Sequence, residues 1–325
     1  MANSLKIEEL IKLIKPLSDK DEYKHDMLKE LNLSEYPPNW NESWYFNFIS
    51  KEISCITRIS FKPAEQTSRI LCVLLLDDKP VDTYIDQIKI EGLPDVIGNK
   101  RCNYTLIEPH KKWHVEFRDR KYELSFDCLA RFKPFDYFEG RRMEEFSTDY
   151  LDLLDTAAQR HYEQGCISKG TLLKKKTGES IDFELLGHRD HSWGIRDWVY
   201  IDRWNWISAQ FEDRTVNIAR VEVKGHLIIG GFISTKEGNK RVIDVKVDTE
   251  TKEDGKTPVS STFTITDQDD QITKVVSKTR FSIHLPQPTE KGITEVFEQI
   301  VDFDLDGMKG EGISEYLITT RKGDL

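Results

Sequence analysis

The apolar positions of this chain follow two different periods, and their distribution sketches the fold. Near the start, Leu5, Ile7, Leu10, Ile11 and Ile14 make a stripe with helical spacing that ends at Pro16, which cannot continue a helix. A second short helix is expected through Met27, Leu28 and Leu31, after a polar, acidic turn around Ser18-Asp19. Tyr36-Pro37-Pro38 then stops helix formation and begins extended chain. From Trp40 to about Phe138 the pattern is that of strands. Residues 44–49, 53–61 and 69–76 are rich in aromatic and β-branched side chains, with breaks at Lys62-Pro63 and Asp77-Asp78-Lys79-Pro80. The clearest hairpin comes later. Trp113, Val115 and Phe117 alternate with polar residues, and beyond Asp119-Arg120 the residues Tyr122, Leu124, Phe126, Cys128, Ala130 and Phe132 share one apolar face. That is the signature of half-buried antiparallel sheet.

Helical spacing returns over residues 141–164, where Phe146, Tyr150, Leu153, Leu154, Ala157 and Ala158 predict a linking helix that gives way to strand near Cys166. The second half is again β, with strands expected over 180–186, 198–211, 216–223, 227–234, 241–247, 261–266, 272–284, 295–305 and 313–320. The Lys-, Glu- and Thr-rich residues 248–256 read as an exposed hairpin loop. The chain is thus mainly β, in two blocks of similar size suited to sandwiches or barrels. The expected division is a helical segment over 1–32, a β domain over 33–160 and a second β domain over 161–325.

Composition narrows the function classes. A net charge of −10 over 325 residues argues against a nucleic-acid footprint. The N-terminus lacks the basic-then-apolar pattern of a secretory signal, and the longest apolar run, residues 70–76, is far shorter than a membrane helix. A cytoplasmic protein is expected. The five cysteines are odd in number, scattered and without a CxxC pair, so neither a disulfide framework nor a zinc site is indicated. Asp302-Phe303-Asp304-Leu305-Asp306-Gly307 imitates a calcium loop, but Ile313 stands where a bidentate Glu is needed, and Val301, Phe303 and Leu305 alternate as in a strand.

Candidate chemistry concentrates in Gly187-His188-Arg189-Asp190-His191-Ser192-Trp193-Gly194-Ile195-Arg196-Asp197-Trp198. Strands rarely carry so many ionisable and aromatic groups, because each buried charge must be paired or neutralised. With period two, His188, Asp190, Ser192 and Arg196 face one way and Arg189, His191, Trp193 and Asp197 the other. Gly194 marks a bulge or a close backbone approach. A metal set of His188, His191 and Asp190 would need a curled backbone, and neither Cys166 nor Ser192 sits in a nucleophile signature, so no metal is expected. Trp193, Trp198, Trp204 and Trp206 put four of seven tryptophans within fourteen positions, with Tyr200 among them. Such rings fill a core, or they line an apolar pocket that stabilises a cation and raises a neighbouring carboxyl pKa. The arginines pull the other way, since Asp–Arg pairs can simply lock a domain junction. Both readings stay open from the residues alone.

The run His188-Arg189-Asp190-His191-Ser192-Trp193-Gly194 followed by Arg196-Asp197-Trp198 resembles the signature of the carotenoid 1,2-hydratase (hydroxyneurosporene synthase) superfamily, closest to its prokaryotic branches. Glu42-Ser43-Trp44-Tyr45-Phe46, Tyr162-Glu163-Gln164 and Gly310-Glu311-Gly312-Ile313-Ser314-Glu315-Tyr316 add to the likeness. The resemblance implies two lipocalin-like antiparallel units, an N-terminal β-sandwich and a C-terminal β-barrel. It also implies a cofactor-independent hydratase or cyclase acting on a hydrophobic, isoprenoid-like substrate. Asp190 or Asp197 would then be the acid, Trp193 and Trp198 would stabilise the cation, His191 would handle water, and Arg189 or Arg196 would hold the acids. Tyr200, Trp204, Trp206, His188, Trp44 and Glu163 would complete the substrate site. The expected partner is a hydrophobic small molecule, an isoprenoid or other lipid, reached through peripheral membrane contact. The competing expectation is a non-catalytic lipid carrier with the polar motif as an interdomain clasp; a pericyclase is a third.

Overall fold

The computed structural model describes residues 16–22, 36–89, 97–138, 160–196, 201–223, 225–289 and 292–322. The stripes expected to be helices over 5–14 and 27–31, most of the expected linking helix, and the candidate residues Asp197, Trp198 and Tyr200 lie outside the described residues. The chain is built almost entirely of antiparallel strands, arranged as a curled sheet and a closed barrel, a lipocalin-like architecture.

The sheet contains β1 (Trp40–Phe48), β2 (Ile53–Lys62), β3 (Thr67–Leu76), β4 (Lys79–Lys89), β5 (Ile97–Gly98), β6 (Cys102–Glu108), β7 (Lys112–Arg118), β8 (Tyr122–Ala130), β9 (Phe135–Asp136), β10 (Arg160–Lys174) and β11 (Glu179–Ile195). Its order is β4-β3-β2-β1-β11-β10-β8-β7-β6-β5, with β9 beside β10. The sheet folds over a core in which strands far apart in that order meet. Phe46 of β1 stacks on Tyr104 of β6 at 5.8 Å, and Trp44 lies 6.3 Å from Trp113 of β7. Where the two ends approach, Asn99 Nδ2 donates to Tyr84 Oη at 2.9 Å. This is the sandwich-like packing expected of the first unit, made from one bent sheet. Strand β4 was not anticipated: its prolines, charges and alternating exposure are those of an edge strand, which hides the apolar pattern.

The eight strands of the barrel are β12 (Ile201–Gln210), β13 (Thr215–Val223), β14 (His226–Thr235), β15 (Gly238–Thr251), β16 (Pro258–Asp267), β17 (Ile272–Thr289), β18 (Gly292–Leu305) and β19 (Met308–Arg321). Neighbours in sequence pair in order, and β19 closes on β12. Of residues 248–256, expected as a loop, 248–251 extend β15 and 252–256 make the turn. The calcium-loop mimic is the β18–β19 hairpin. Phe303 and Leu305 are buried, and Asp306 and Gly307 turn the chain at φ 50° and 92°, the pair of left-handed conformations that two-residue hairpins use.

Residues 160–164, expected to end a helix, instead begin β10, and both β10 and β11 belong to the first sheet. The boundary drawn at residue 160 therefore falls inside that sheet, and the chain crosses to the barrel between 195 and 201. The central polar motif occupies the second half of β11, between β1 and β10, where the sheet meets the barrel.

Candidate functional site

The period-two alternation of β11 divides its polar residues between two environments. Arg189, His191 and Trp193 point into the sheet's own interior. There Arg189 donates to both oxygens of Glu22, at 2.7 and 2.9 Å, and Trp113 Nε1 donates to Glu22 Oε1 at 2.9 Å. Glu22 sits on the short turn Asp19–Glu22, which plugs the curled sheet. Burial alone would raise its pKa, but Arg189 and His110 hold it well below the ordinary carboxylate range. His191 stacks on Trp44 at 4.4 Å, with Nδ1 2.9 Å from Tyr162 Oη and Nε2 2.9 Å from Glu42 Oε1.

The opposite face of β11 looks toward the barrel, and its residues split again. His188 and Glu163 form a junction between the two units. Glu163 Oε1 accepts from Tyr137 Oη at 2.7 Å and from Trp206 Nε1 at 2.9 Å; Oε2 accepts from Asn217 Nδ2 at 2.7 Å and faces His188 Nε2 at 2.6 Å. Its burial would raise the pKa, yet His161, His188 and Trp206 bring it below the usual value. Gly165 follows from this contact: a Cβ there would overlap Thr215 of the barrel.

One turn of alternation further, Asp190, Ser192 and Arg196 open onto a cavity of about 510 Å³ between sheet and barrel. The strand register makes its sheet wall a set of cross-strand rows. One row runs His161-Ser192-Ser43-Ser60-Arg69 and the next Asp190-Tyr45-Arg58-Leu71-Ile85. Polarity therefore fades across the wall toward Leu71, Ile56 and Val73. The barrel wall is mostly apolar, apart from Ser282, Gln287 and two glutamates. Trp206, Glu315, Glu298 and Ile283 form a row, flanked on one side by Trp204, Val296 and Leu285 and on the other by Ile313, Ile300 and Phe281. Glu298 and Glu315 are hydrogen-bonded to each other inside this patch. Burial and then the neighbouring Glu298 carboxyl push Glu315 well above the ordinary range, and burial raises Glu298 as well. Two adjacent carboxyls that cannot both ionise hold a proton between them. Tyr45 Oη donates to Glu298 at 3.3 Å. Across the cavity lies Asp190, with His161 Nε2 3.9 Å from its Oδ2.

Comparison with known proteins follows from this geometry. A family model described as a domain of unknown function, DUF7064, matches residues 18–320. The chain belongs to the DUF7064 family. No curated protein matches this DUF7064 chain in sequence. Solved structures do match in shape. A protein assigned as AttH from Nitrosomonas europaea superposes with a TM-score of 0.65 at 14% identity, over 93% of this chain and 96% of that one. CghA with Sch210972 gives 0.58 at 11% identity, over 87% and 89%. Kievitone hydratase from Nectria haematococca gives 0.57 at 10% identity, over 91% and 94%. At such identities the likeness establishes a common fold.

Of the candidates read from sequence, the structure brings Asp190, Arg196, Trp204 and Trp206 together in the cavity. It places Glu163 and His188 in the junction, and it places Arg189, His191, Trp193 and Trp44 on the far side of the sheet, for the simple reason that neighbours on a strand face opposite ways. Glu298, Glu315, Arg58, Tyr45 and His161 are cavity residues that were not singled out as candidates. Glu315 and Tyr45 had a signal, within the stretches Gly310 to Tyr316 and Glu42 to Phe46. Among the described residues no group of three or more His, Cys, Asp and Glu side chains is placed to hold a metal ion, and no helix is long and apolar enough to cross a membrane.

Proposed function

We propose that this DUF7064 protein is a cofactor-independent hydratase or cyclase that starts its reaction by protonating a hydrophobic, isoprenoid-like alkene. The observation that carries the reading is the hydrogen-bonded Glu298–Glu315 pair in a largely apolar wall, facing Asp190 across the cavity. Paired carboxyl groups whose environments drive their pKa values apart are the usual means of having acid and base present at one pH. The proton held by the glutamates passes to the alkene carbon. The cation left behind lies against Trp204 and Trp206, whose ring faces attract positive charge. Asp190 and His161, on the opposite wall, take the proton from an incoming water to complete hydration; where an internal double bond reaches the cation first, a ring closes instead and the new ring cation loses a C–H proton to Asp190. The acid thus moves from Asp190 or Asp197, the sequence candidates, to the glutamates, and Asp190 takes the base role. That a structural neighbour is named a hydratase agrees with this chemistry.

The test is label incorporation. A panel of prenylated phenols, terpenoid alcohols and unsaturated acids is incubated with protein in D2O and H2(18)O and read by mass spectrometry. Wild type should insert deuterium and oxygen into at least one member. Glu315→Gln and Asp190→Asn should each lower that rate by about 10²–10⁴, the usual worth of a general acid or base. A ligand that binds yet never gains label, or full turnover in both variants, would favour the carrier reading, in which the Glu163–His188 junction is the clasp and the cavity only holds cargo.

A further inference from the structure

Three other arginines of low exposure are matched by carboxylates. Arg189 pairs with Glu22, Arg160 with Asp136, and Arg280 with Asp78, Asp302 and Glu311. Arg58 and Arg196, which line the cavity with the exposed Arg69 at its rim, differ: neither has a carboxylate within ion-pair distance among the described residues. Arg196 leans on neutral groups only, donating through Nη2 to Ser192 Oγ and, at 3.3 Å, to Ser43 Oγ, while its buried Nε has no partner. Burial lowers the pKa of Arg58 and brings that of Arg196 to about 9; Arg69 lowers Arg58 further, Arg58 does the same to Arg196, and Asp190 offsets only part of this. Uncompensated charge of this kind is costly to bury and is relieved by an anion. A guanidinium fork also suits a planar carboxylate, which it can bind with two parallel hydrogen bonds.

We infer that the ligand is an amphiphile with a single carboxylate head, held by Arg196 and Arg58 beside the Ser43 and Ser192 hydroxyls, with its apolar body along Leu71, Val73 and Phe281. This rests on the reading of the cavity as a substrate site and sharpens it: a neutral hydrocarbon would leave both guanidiniums unmatched. In the chemistry proposed above, the head would anchor the molecule at the polar rows of the sheet wall and present its double bond to the glutamates opposite.

The experiment needs no turnover, so its result stands apart from the fate of the proton-transfer proposal. Binding of 11-(dansylamino)undecanoic acid is followed by fluorescence, and oleic acid, oleamide and oleyl alcohol are compared as displacing ligands. Wild type should prefer the acid over the alcohol by roughly 10- to 100-fold, the worth of a charge-assisted hydrogen-bonded contact. Arg196→Gln and Arg58→Gln should each erode that preference while oleyl alcohol binds as before, which also reports that the variants are folded. The inference falls if acid and alcohol bind equally to wild type, if neither binds, or if the double variant keeps the preference. Loss of label incorporation with the acid preference intact would instead overturn the catalytic reading alone.

Discussion

Replacing Glu163 with glutamine should destabilise the protein far more than its single-atom change suggests. The carboxylate accepts from Tyr137, Trp206 and Asn217 and pairs with His188, while His161 Nε2 stands 3.2 Å from Oε1. An amide has one oxygen and one NH2 group. Turned one way it confronts His188 and Asn217 with a donor; turned the other way it confronts Trp206 and Tyr137. At least one buried donor, Trp206 Nε1 or Asn217 Nδ2, loses its acceptor and Tyr137 or His188 beside it must turn to accept, so with about 1–3 kcal/mol for each group left unpaired the loss should be about 2–5 kcal/mol. Against a total stability of about 5–15 kcal/mol that is severe. The assay is urea denaturation followed by tryptophan fluorescence, with Glu184→Gln as the control. Glu184 pairs with Lys169 at 2.8 Å with both side chains mostly exposed, and removing that pair should cost no more than about 1 kcal/mol. The pH dependence supplies a second readout. The folded pKa of Glu163 is depressed, so its stabilisation is present above the unfolded carboxylate range and is lost as pH falls through the folded value. The gap between wild type and variant should therefore be widest near neutrality and shrink in acid. A variant within about 1 kcal/mol of wild type at neutral pH would refute the view of Glu163 as the junction's central acceptor.

Other consequences follow from the same structure. Glu22→Gln should cost about 3–5 kcal/mol by stranding Arg189 in the sheet interior, and hydrogen exchange of the backbone at 19–22 should accelerate; unchanged protection would show that the turn is held by something else. Glu315→Gln should have the opposite pH signature. Because the folded pKa of Glu315 is raised, wild type loses stability as pH climbs through it, and the permanently neutral variant should hold up better on the alkaline side in thermal melts. Gly165→Ala should force Thr215 away and loosen the sheet–barrel contact, lowering the melting temperature, whereas alanine at Gly178, which meets open space but has φ 72°, carries only backbone strain. All five cysteines are buried and unpaired, so a thiol reagent should label native protein slowly and modify all five only once denaturant is added.

Much of the architecture was legible because strands announce themselves through period two. All eight barrel strands coincide with expected segments, and the opposite facing of Asp190 and His191 was correct. What escaped depended on contacts between distant segments. The helical spacing of residues 146–158 drew the boundary to 160, although β10 and β11 complete the first sheet through pairing with β8 and β1, which no local pattern reveals. Glu22 reads as one more acid in the polar turn Asp19-Lys20-Asp21-Glu22, yet it is fully buried because Arg189, remote in sequence, meets it there. Glu298 stands alone among Val296, Phe297 and Ile300, and only the register of β18 against β19 places it opposite Glu315. The polar motif was visible as unusual, but composition could not tell that alternation would divide it among interior network, junction and cavity.

The most direct measurement is a pH titration of the glutamate side chains by NMR, using protein labelled with 13C at Cδ, in wild type and in Glu315→Gln. If the cavity holds its proton donor as described, one glutamate resonance of wild type keeps the shift of a protonated carboxyl after the surface glutamates have ionised, and that resonance is absent from the variant. If every glutamate titrates together in the ordinary carboxylate range, the cavity wall carries no acid and the proposed chemistry has no starting proton.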